Sequence, residues 1–142
     1  MKDKAEPRKS VKGLDAEAQE LIEIAEKTIN KHFAIGRHHV ASALKTKSGN
    51  IYPGIHLDCA GFDNCAEPIS IANACMADDK ELSLVVAVVK DSRTQSVDII
   101  NPCGNCLQQF LVFGPDIEVI AQTPQGIRRL HLHELLPYPY GN

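Results

Sequence analysis

Residues 82–89, Leu-Ser-Leu-Val-Val-Ala-Val-Val, form an eight-residue run with one polar member and four valines. A run this apolar and β-branched reads as a strand buried on both faces. Such a strand needs a covering layer on each side of its sheet, and the rest of the chain supplies helices for both. Leu14, Ala18, Leu21, Ile22, Ala25, Ile29 and Phe33 recur at helical spacing, which predicts a helix over residues 15–32 with Asp15 as N-cap. Residues 39–45 and 51–57 read as the two strands of a hairpin around Ser48-Gly49-Asn50. Residues 65–76 read as a second helix with Ile69, Ala72 and Cys75 or Met76 along its apolar side. Pro68 is tolerated only in a first turn, so this helix must start within a residue or two of Cys65.

Residues 91–98 are a polar connection, and Ile99-Ile100 ends a short strand. Pro102 is expected to open a third helix reaching about Phe113, since proline is favoured at a first helical position. Residues 117–121 and 126–132 are the last strands, followed by a turn over 131–136 and a tail rich in Pro and Tyr. The alternation predicts an α/β protein, a three-layer α/β/α sandwich around a mixed five-stranded sheet. Residues 1–13 lack periodicity and are expected to be a disordered tail, leaving 14–142 as one domain.

Composition narrows the function classes. A chain of 142 residues with 44% apolar and 23% charged residues is in the range of one soluble globular domain. No apolar run approaches the roughly 18 residues of a membrane span. No charged-then-apolar opening reads as a signal peptide, so a cytoplasmic protein is expected. Net charge is −3, and residues 1–12 carry five Lys/Arg against two Asp/Glu, which leaves the body at −6. An acidic body argues against a nucleic-acid partner, and nothing suggests a membrane partner. Five cysteines without an export signal imply a reducing compartment, where grouped cysteines are more often metal ligands or catalytic groups than disulfides.

Cys65 starts the second helix, and Cys103 and Cys106 start the third. Helix N-termini lower thiol pKa, and thiolate is the form that binds zinc. Cys103-Gly104-Asn105-Cys106 alone fits a redox dithiol or half a structural zinc site as well. Cys65-Ala66-Glu67 alters the balance. At about 100° per residue Glu67 points away from Cys65, so it reaches across a ligand sphere without joining it. Three protein ligands leave a fourth position of Zn²⁺ for water, the catalytic arrangement. Three thiolates with a non-ligand Glu as proton shuttle match a hydrolytic nucleobase deaminase.

Cys65-Ala66-Glu67, Pro102-Cys103-Gly104-Asn105-Cys106 and Glu134-Leu135-Leu136-Pro137 resemble the cytidine deaminase superfamily, in particular its small cytidine and blasticidin-S deaminases. Residues 40–44, the turn after them and Gly54 also align, and the resemblance spans about residues 14–137. It implies a zinc-dependent hydrolase of nucleoside metabolism, with Cys65, Cys103 and Cys106 as metal ligands and Glu67 as the catalytic residue. The expected reaction is release of ammonia from the exocyclic amine of cytidine, deoxycytidine, a cytosine-nucleoside antibiotic such as blasticidin S, or another aminopyrimidine. His56 and Asp58 stand where cytidine deaminases bind the sugar with an Asn-x-Glu, and His38 stands at the aromatic that packs on the base. Ala66 and Asn101 complete the expected substrate contacts. Where the family often places an Arg beside its thiolates, this chain has Pro68 and Leu107, so helix dipoles and backbone N–H groups must offset the charge there.

The family also implies a homotetramer, with a homodimer as the smaller alternative, and Tyr138 and Tyr140 as subunit contacts. Cys59 and Cys75 are expected to be small apolar fillers, and His131 and His133 surface or interface residues. The alternative function is a zinc-stabilised, non-catalytic binding or scaffold protein of the same fold. Such a protein has no need of Glu67.

Overall fold

The computed structural model describes residues 13–141; the basic segment 1–12 of the expected tail lies outside the described residues. The element order is α1 (Ala16–His32), β1 (Val40–Thr46), β2 (Ile51–Ile55), α2 (Ala66–Met76), β3 (Leu82–Lys90), β4 (Val97–Ile99), α3 (Gly104–Phe113), β5 (Glu118–Thr123), β6 (Gly126–His131) and α4 (Leu132–Leu135). The strands lie in the order β2-β1-β3-β5-β6. β3 and β5 are parallel, and the other neighbouring pairs are antiparallel, so the sheet is mixed. β4 adds a sixth, short strand. It pairs with β3 at Val88–Lys90, beyond the point where β5 leaves β3 at Val85.

β3 is the centre of the sheet, and its alternation divides the core in two. Leu84, Val86 and Val88 face α1, where Leu21, Ile22, Ala25 and Ile29 close the layer. Val85 faces the other way, into a cluster with Ile71 and Ala74 of α2 and Cys106, Leu107 and Phe110 of α3. Helices therefore cover both faces, as a doubly buried strand requires. Asp15 caps α1 by accepting from the Ala18 N–H at 2.9 Å. Arg129 of β6 ties that end of α1 to the sheet through Asp15, Glu17 and Glu118 at 3.1, 2.8 and 3.0 Å.

Two local expectations shift. The buried side of α2 is Ala66, Glu67, Ser70, Ile71 and Ala74, whereas Ala72 and Met76 are exposed. Ala66 and Ser70 sit against β1 and β2 while Ile71 and Ala74 enter the core, so the inner face includes polar positions that the apolar pattern passes over. Pro102 precedes the N-cap Cys103, and α3 starts only at Gly104. The thiol occupies the cap position, so proline acts just outside the helix.

The β1–β2 hairpin is pinned to the loop after α2 by one carboxylate. Asp79 Oδ2 accepts from Thr46 Oγ1 (2.7 Å), Ser48 Oγ (2.7 Å), Tyr52 OH (2.9 Å) and Asn50 Nδ2 (3.0 Å). These donors, Ser48 and Thr46 foremost, hold the Asp79 carboxyl at about 2 against an ordinary 3.8. Because the folded pKa is the lower one, the stabilisation is complete above about pH 4 and is lost as pH falls through 2. Asp79→Asn is expected to be less stable than wild type at pH 7. Its thermal midpoint should also fall less than that of wild type between pH 4 and pH 2. Parallel melting curves at the two pH values measure both effects.

Candidate active site

The site begins with the seat of α2. Ser42 of β1 and Gly54 of β2 are cross-strand partners. Ser42 Oγ donates to the Ala66 carbonyl at 2.9 Å and shares a short hydrogen bond with Ser70 Oγ. A Cβ on Gly54 would stand 2.4 Å from the Ala66 oxygen and 2.7 Å from Ser70 N, closer than packed atoms approach. Glycine at this point lets the first turn of α2 settle onto the sheet, which fixes Cys65 and Glu67.

Cys65 is the N-cap of α2 and Cys103 that of α3, and Cys106 lies in the first turn of α3. The two helix starts thus converge with one thiol and two. Sγ of Cys65 lies 3.7 Å from Sγ of Cys103, which lies 3.6 Å from Sγ of Cys106, and all three fall within 4.8 Å of one another. A tetrahedral centre with Zn–S bonds of about 2.3 Å sets its sulfurs about 3.8 Å apart. A disulfide needs about 2.05 Å. The spacing fits a shared tetrahedral metal and does not fit a bond between sulfurs.

The electrostatics also fit a cation. Burial pushes the Cys106 thiol far up, and the Glu67 carboxylate beside it pushes further. Burial likewise raises Cys65. Cys103 goes the other way: burial opposes ionisation, but the Cys106 N–H, the two neighbouring thiols and the Asn105 N–H together lower its pKa. Of the three thiols, Cys103 is the one whose surroundings favour the ionised form. A full thiolate set requires positive charge at its centre. Glu67 is only 4% exposed, and burial raises its carboxyl above the usual range while its own N–H and the Cys106 thiol pull it back. A buried carboxyl with a raised pKa is suited to taking and returning protons near neutral pH.

The segment carrying His56 and Asp58 runs beside this cluster. Leu57 and Asn64 exchange both backbone hydrogen bonds, at 2.9 and 3.0 Å, which lays residues 56–58 along the stretch leading into Cys65. The Asp58 N–H donates to the Arg37 carbonyl at 2.9 Å, and His38 Nδ1 lies 2.9 Å from the His56 carbonyl. His38, His56 and Asp58 therefore occupy one stitched surface. Burial, with His39 next, holds His56 below the usual histidine range, against the pull of Asp58 and Asp63.

Other expected residues have different surroundings. Ala66 is fully buried. Asn101 is clamped to β5: its Nδ2 donates to the Gln122 carbonyl at 3.0 Å and its Oδ1 accepts from the Gln122 N–H at 2.7 Å. Its side chain thus braces the loop into Cys103. Cys59 is exposed, not a filler, because the loop at 58–63 stands out from the domain; Cys75 is half-buried. His131 and Glu134 cap α4, and the His131 and His133 rings stack at 5.6 Å. Tyr138 and Tyr140 are 92% and 90% exposed, while Gln108 of α3 holds the Tyr140 backbone at 3.1 and 3.2 Å. Sequence reasoning missed His39, whose Nε2 accepts from the Gly36 N–H at 2.9 Å and whose ring meets Phe33 edge-on. The adjacent pair His38-His39 was its only signal.

Two helix N-termini thus bring together three thiols at a spacing that could hold a metal ion, with a buried carboxylate in the first turn of α2. No protein-family model matches the chain. It is 29% identical over 126 residues to the blasticidin-S deaminase of Bacillus cereus, covering 85% of this chain and 90% of that protein. It is 32% identical over 109 residues to the Dictyostelium discoideum protein named "Probable cytidine deaminase", covering 75% of this chain and 67% of that one. The crystal structure of cytidine deaminase from Burkholderia pseudomallei superposes with a TM-score of 0.69 at 27% identity, over 86% of this chain and 98% of the other. The chain belongs to the cytidine deaminase and blasticidin-S deaminase family.

Purified protein is expected to carry about one zinc per chain. Cys65→Ala, Cys103→Ala and Cys106→Ala should each lose the metal and lower the thermal midpoint, since binding energy at such a site is also folding energy. Elemental analysis beside thermal unfolding measures this. Metal-free folded protein with a Cys103–Cys106 disulfide would contradict it.

Proposed function

We propose that this protein is a zinc-dependent hydrolase that removes the exocyclic amine of a cytosine-type nucleoside. The observation that carries the reading is Glu67, a buried carboxylate one residue inside α2 and beside three thiols at tetrahedral spacing. Cys65, Cys103 and Cys106 would hold the metal, whose Lewis acidity makes water nucleophilic near neutral pH. Glu67 handles the protons. Its carboxylate accepts a proton from the attacking water and gives it to the ring nitrogen next to the reacting carbon. It then carries the second water proton to the departing amine. Oxygen forms the new bond to carbon, the carbon–nitrogen bond breaks, and the products are the ring carbonyl compound and ammonia. Burial excludes bulk water, which would compete for these transfers.

His38, His56 and Asp58 are proposed as the substrate contacts away from the reacting carbon. The named relatives include a blasticidin-S deaminase and cytidine deaminases. They support a nucleoside with a cytosine-type ring, among cytidine, deoxycytidine and a cytosine-nucleoside antibiotic. Asn101 braces the Cys103 loop through Gln122 and keeps one Nδ2 hydrogen and one Oδ1 lone pair for a further partner, so it stays among the proposed substrate contacts.

Glu67→Gln is expected to retain zinc and fold but to lose turnover, by at least the roughly 10²–10⁴-fold that general acid–base assistance contributes. The amide can neither accept the water proton nor deliver one. Ammonia release from a panel of free bases, nucleosides and aminopyrimidine antibiotics, with zinc content measured alongside, tests the reading. Near-full release by Glu67→Gln on the substrate that wild type turns over would overturn it.

A further inference from the structure

His56 is held at three points. Its N–H donates to the Val40 carbonyl at 2.9 Å, its carbonyl accepts from His38 Nδ1 at 2.9 Å, and its ring Nδ1 accepts from the His39 main-chain N–H at 2.9 Å. A main-chain N–H can only donate, so His56 Nδ1 carries the lone pair and the ring proton resides on Nε2. A carbonyl can only accept, so His38 carries a proton on Nδ1, and the neutral ring keeps its lone pair on Nε2. Protonating His56 at Nδ1 would set two N–H groups against each other. The backbone of residues 38–40 thereby selects one tautomer, and the Gly36–His39 contact holds that backbone in place.

We propose that His56 is a specificity residue that can only donate a hydrogen bond at the substrate, because the His39 main-chain N–H occupies its Nδ1 and the His38 side chain secures its carbonyl. The inference rests on the deaminase reading for the presence of a substrate beside residues 56–58. An asparagine at this position can turn either its oxygen or its amide nitrogen toward a ligand. The locked imidazole cannot. Two residues along, the Asp58 carboxylate can only accept when ionised. The pair therefore selects a substituent with a lone-pair oxygen facing His56 and a hydroxyl or N–H facing Asp58. A cytosine-type ring bearing a hydroxylated or amine-bearing substituent satisfies both positions, and a bare base satisfies neither.

The test uses the full-length, zinc-loaded protein. Long-range ¹H–¹⁵N spectra of the histidine side chains at neutral pH, with His56 assigned by the signal lost in His56→Gln, are expected to show the Nε2–H tautomer alone. An Nδ1–H tautomer, or an averaged mixture of the two, overturns the proposal whatever the protein's activity. On the nucleoside that wild type turns over, His56→Leu is expected to raise KM about tenfold, the effect of leaving one substrate acceptor unpaired. His56→Gln should recover most of that loss, since its amide nitrogen can stand where Nε2–H stood. If His56→Gln is as impaired as His56→Leu, the donor role is wrong while the deaminase reading stands. If wild type releases no ammonia from any nucleoside, the deaminase reading fails and with it the substrate role of His56; the spectra still decide the tautomer.

Discussion

Two helix N-termini meet at one end of the sheet, and the site exists because they can come so close. The approach of α2 depends on a seat with almost no side chain, Gly54 beside Ser42, which takes the Ala66 carbonyl and the Ser70 hydroxyl against the strands. α3 is anchored from the other side by Phe110, Leu107 and Cys106 in the core and by the Asn101–Gln122 clamp ahead of Cys103. Both helices start on a thiol with no side-chain cap, and at α3 the Cys106 and Asn105 N–H groups turn to the Cys103 sulfur.

Much of this was legible in the sequence because the informative residues obey strict local rules. The run at 82–89 could only be a doubly buried strand, and it fixed the layer architecture. Asp15 and Pro68 located the two helix starts through capping and proline geometry. The C-A-E and P-C-x-x-C spacings placed three thiols and Glu67 at helix N-termini, and the fold brought the thiols together. The less legible features depend on long-range packing. The inner face of α2 carries Glu67 and Ser70 beside Ala66, Ile71 and Ala74, and a hydrophobic pattern passes over the polar pair. β4, the short strand expected to end at Ile99-Ile100, is present at Val97–Ile99; what the sequence left out is its place beside β3 as a sixth strand of the sheet. Asn101 acts through the Gln122 main chain 21 residues away, and the His39 main-chain N–H through the His56 ring 17 residues away, pairings that no local motif encodes.

Polar interactions outside the site serve to hold its frame. Asp79 gathers the hairpin turn, Arg129 gathers the start of α1 against β6, and Gln108 holds the last turn of the chain against α3. The thiol cluster answers to nearer groups: burial foremost, then the Glu67 carboxylate at Cys106 and the neighbouring thiols and N–H groups at Cys103. The surface beside the cluster is different: residues 36–39, 56–58 and 63–65 are joined by main-chain hydrogen bonds, so the groups that would read a substrate share one rigid ribbon with the chain entering Cys65.

The central claim is that Cys65, Cys103 and Cys106 make an open, three-sulfur metal site beside Glu67, not a closed structural one. X-ray absorption at the zinc edge of the purified protein tests this most directly. The account predicts three sulfur neighbours at about 2.3 Å and one lighter oxygen or nitrogen neighbour completing the tetrahedron. Four sulfur neighbours, with Cys59 or Cys75 drawn in, would close the fourth position and contradict it.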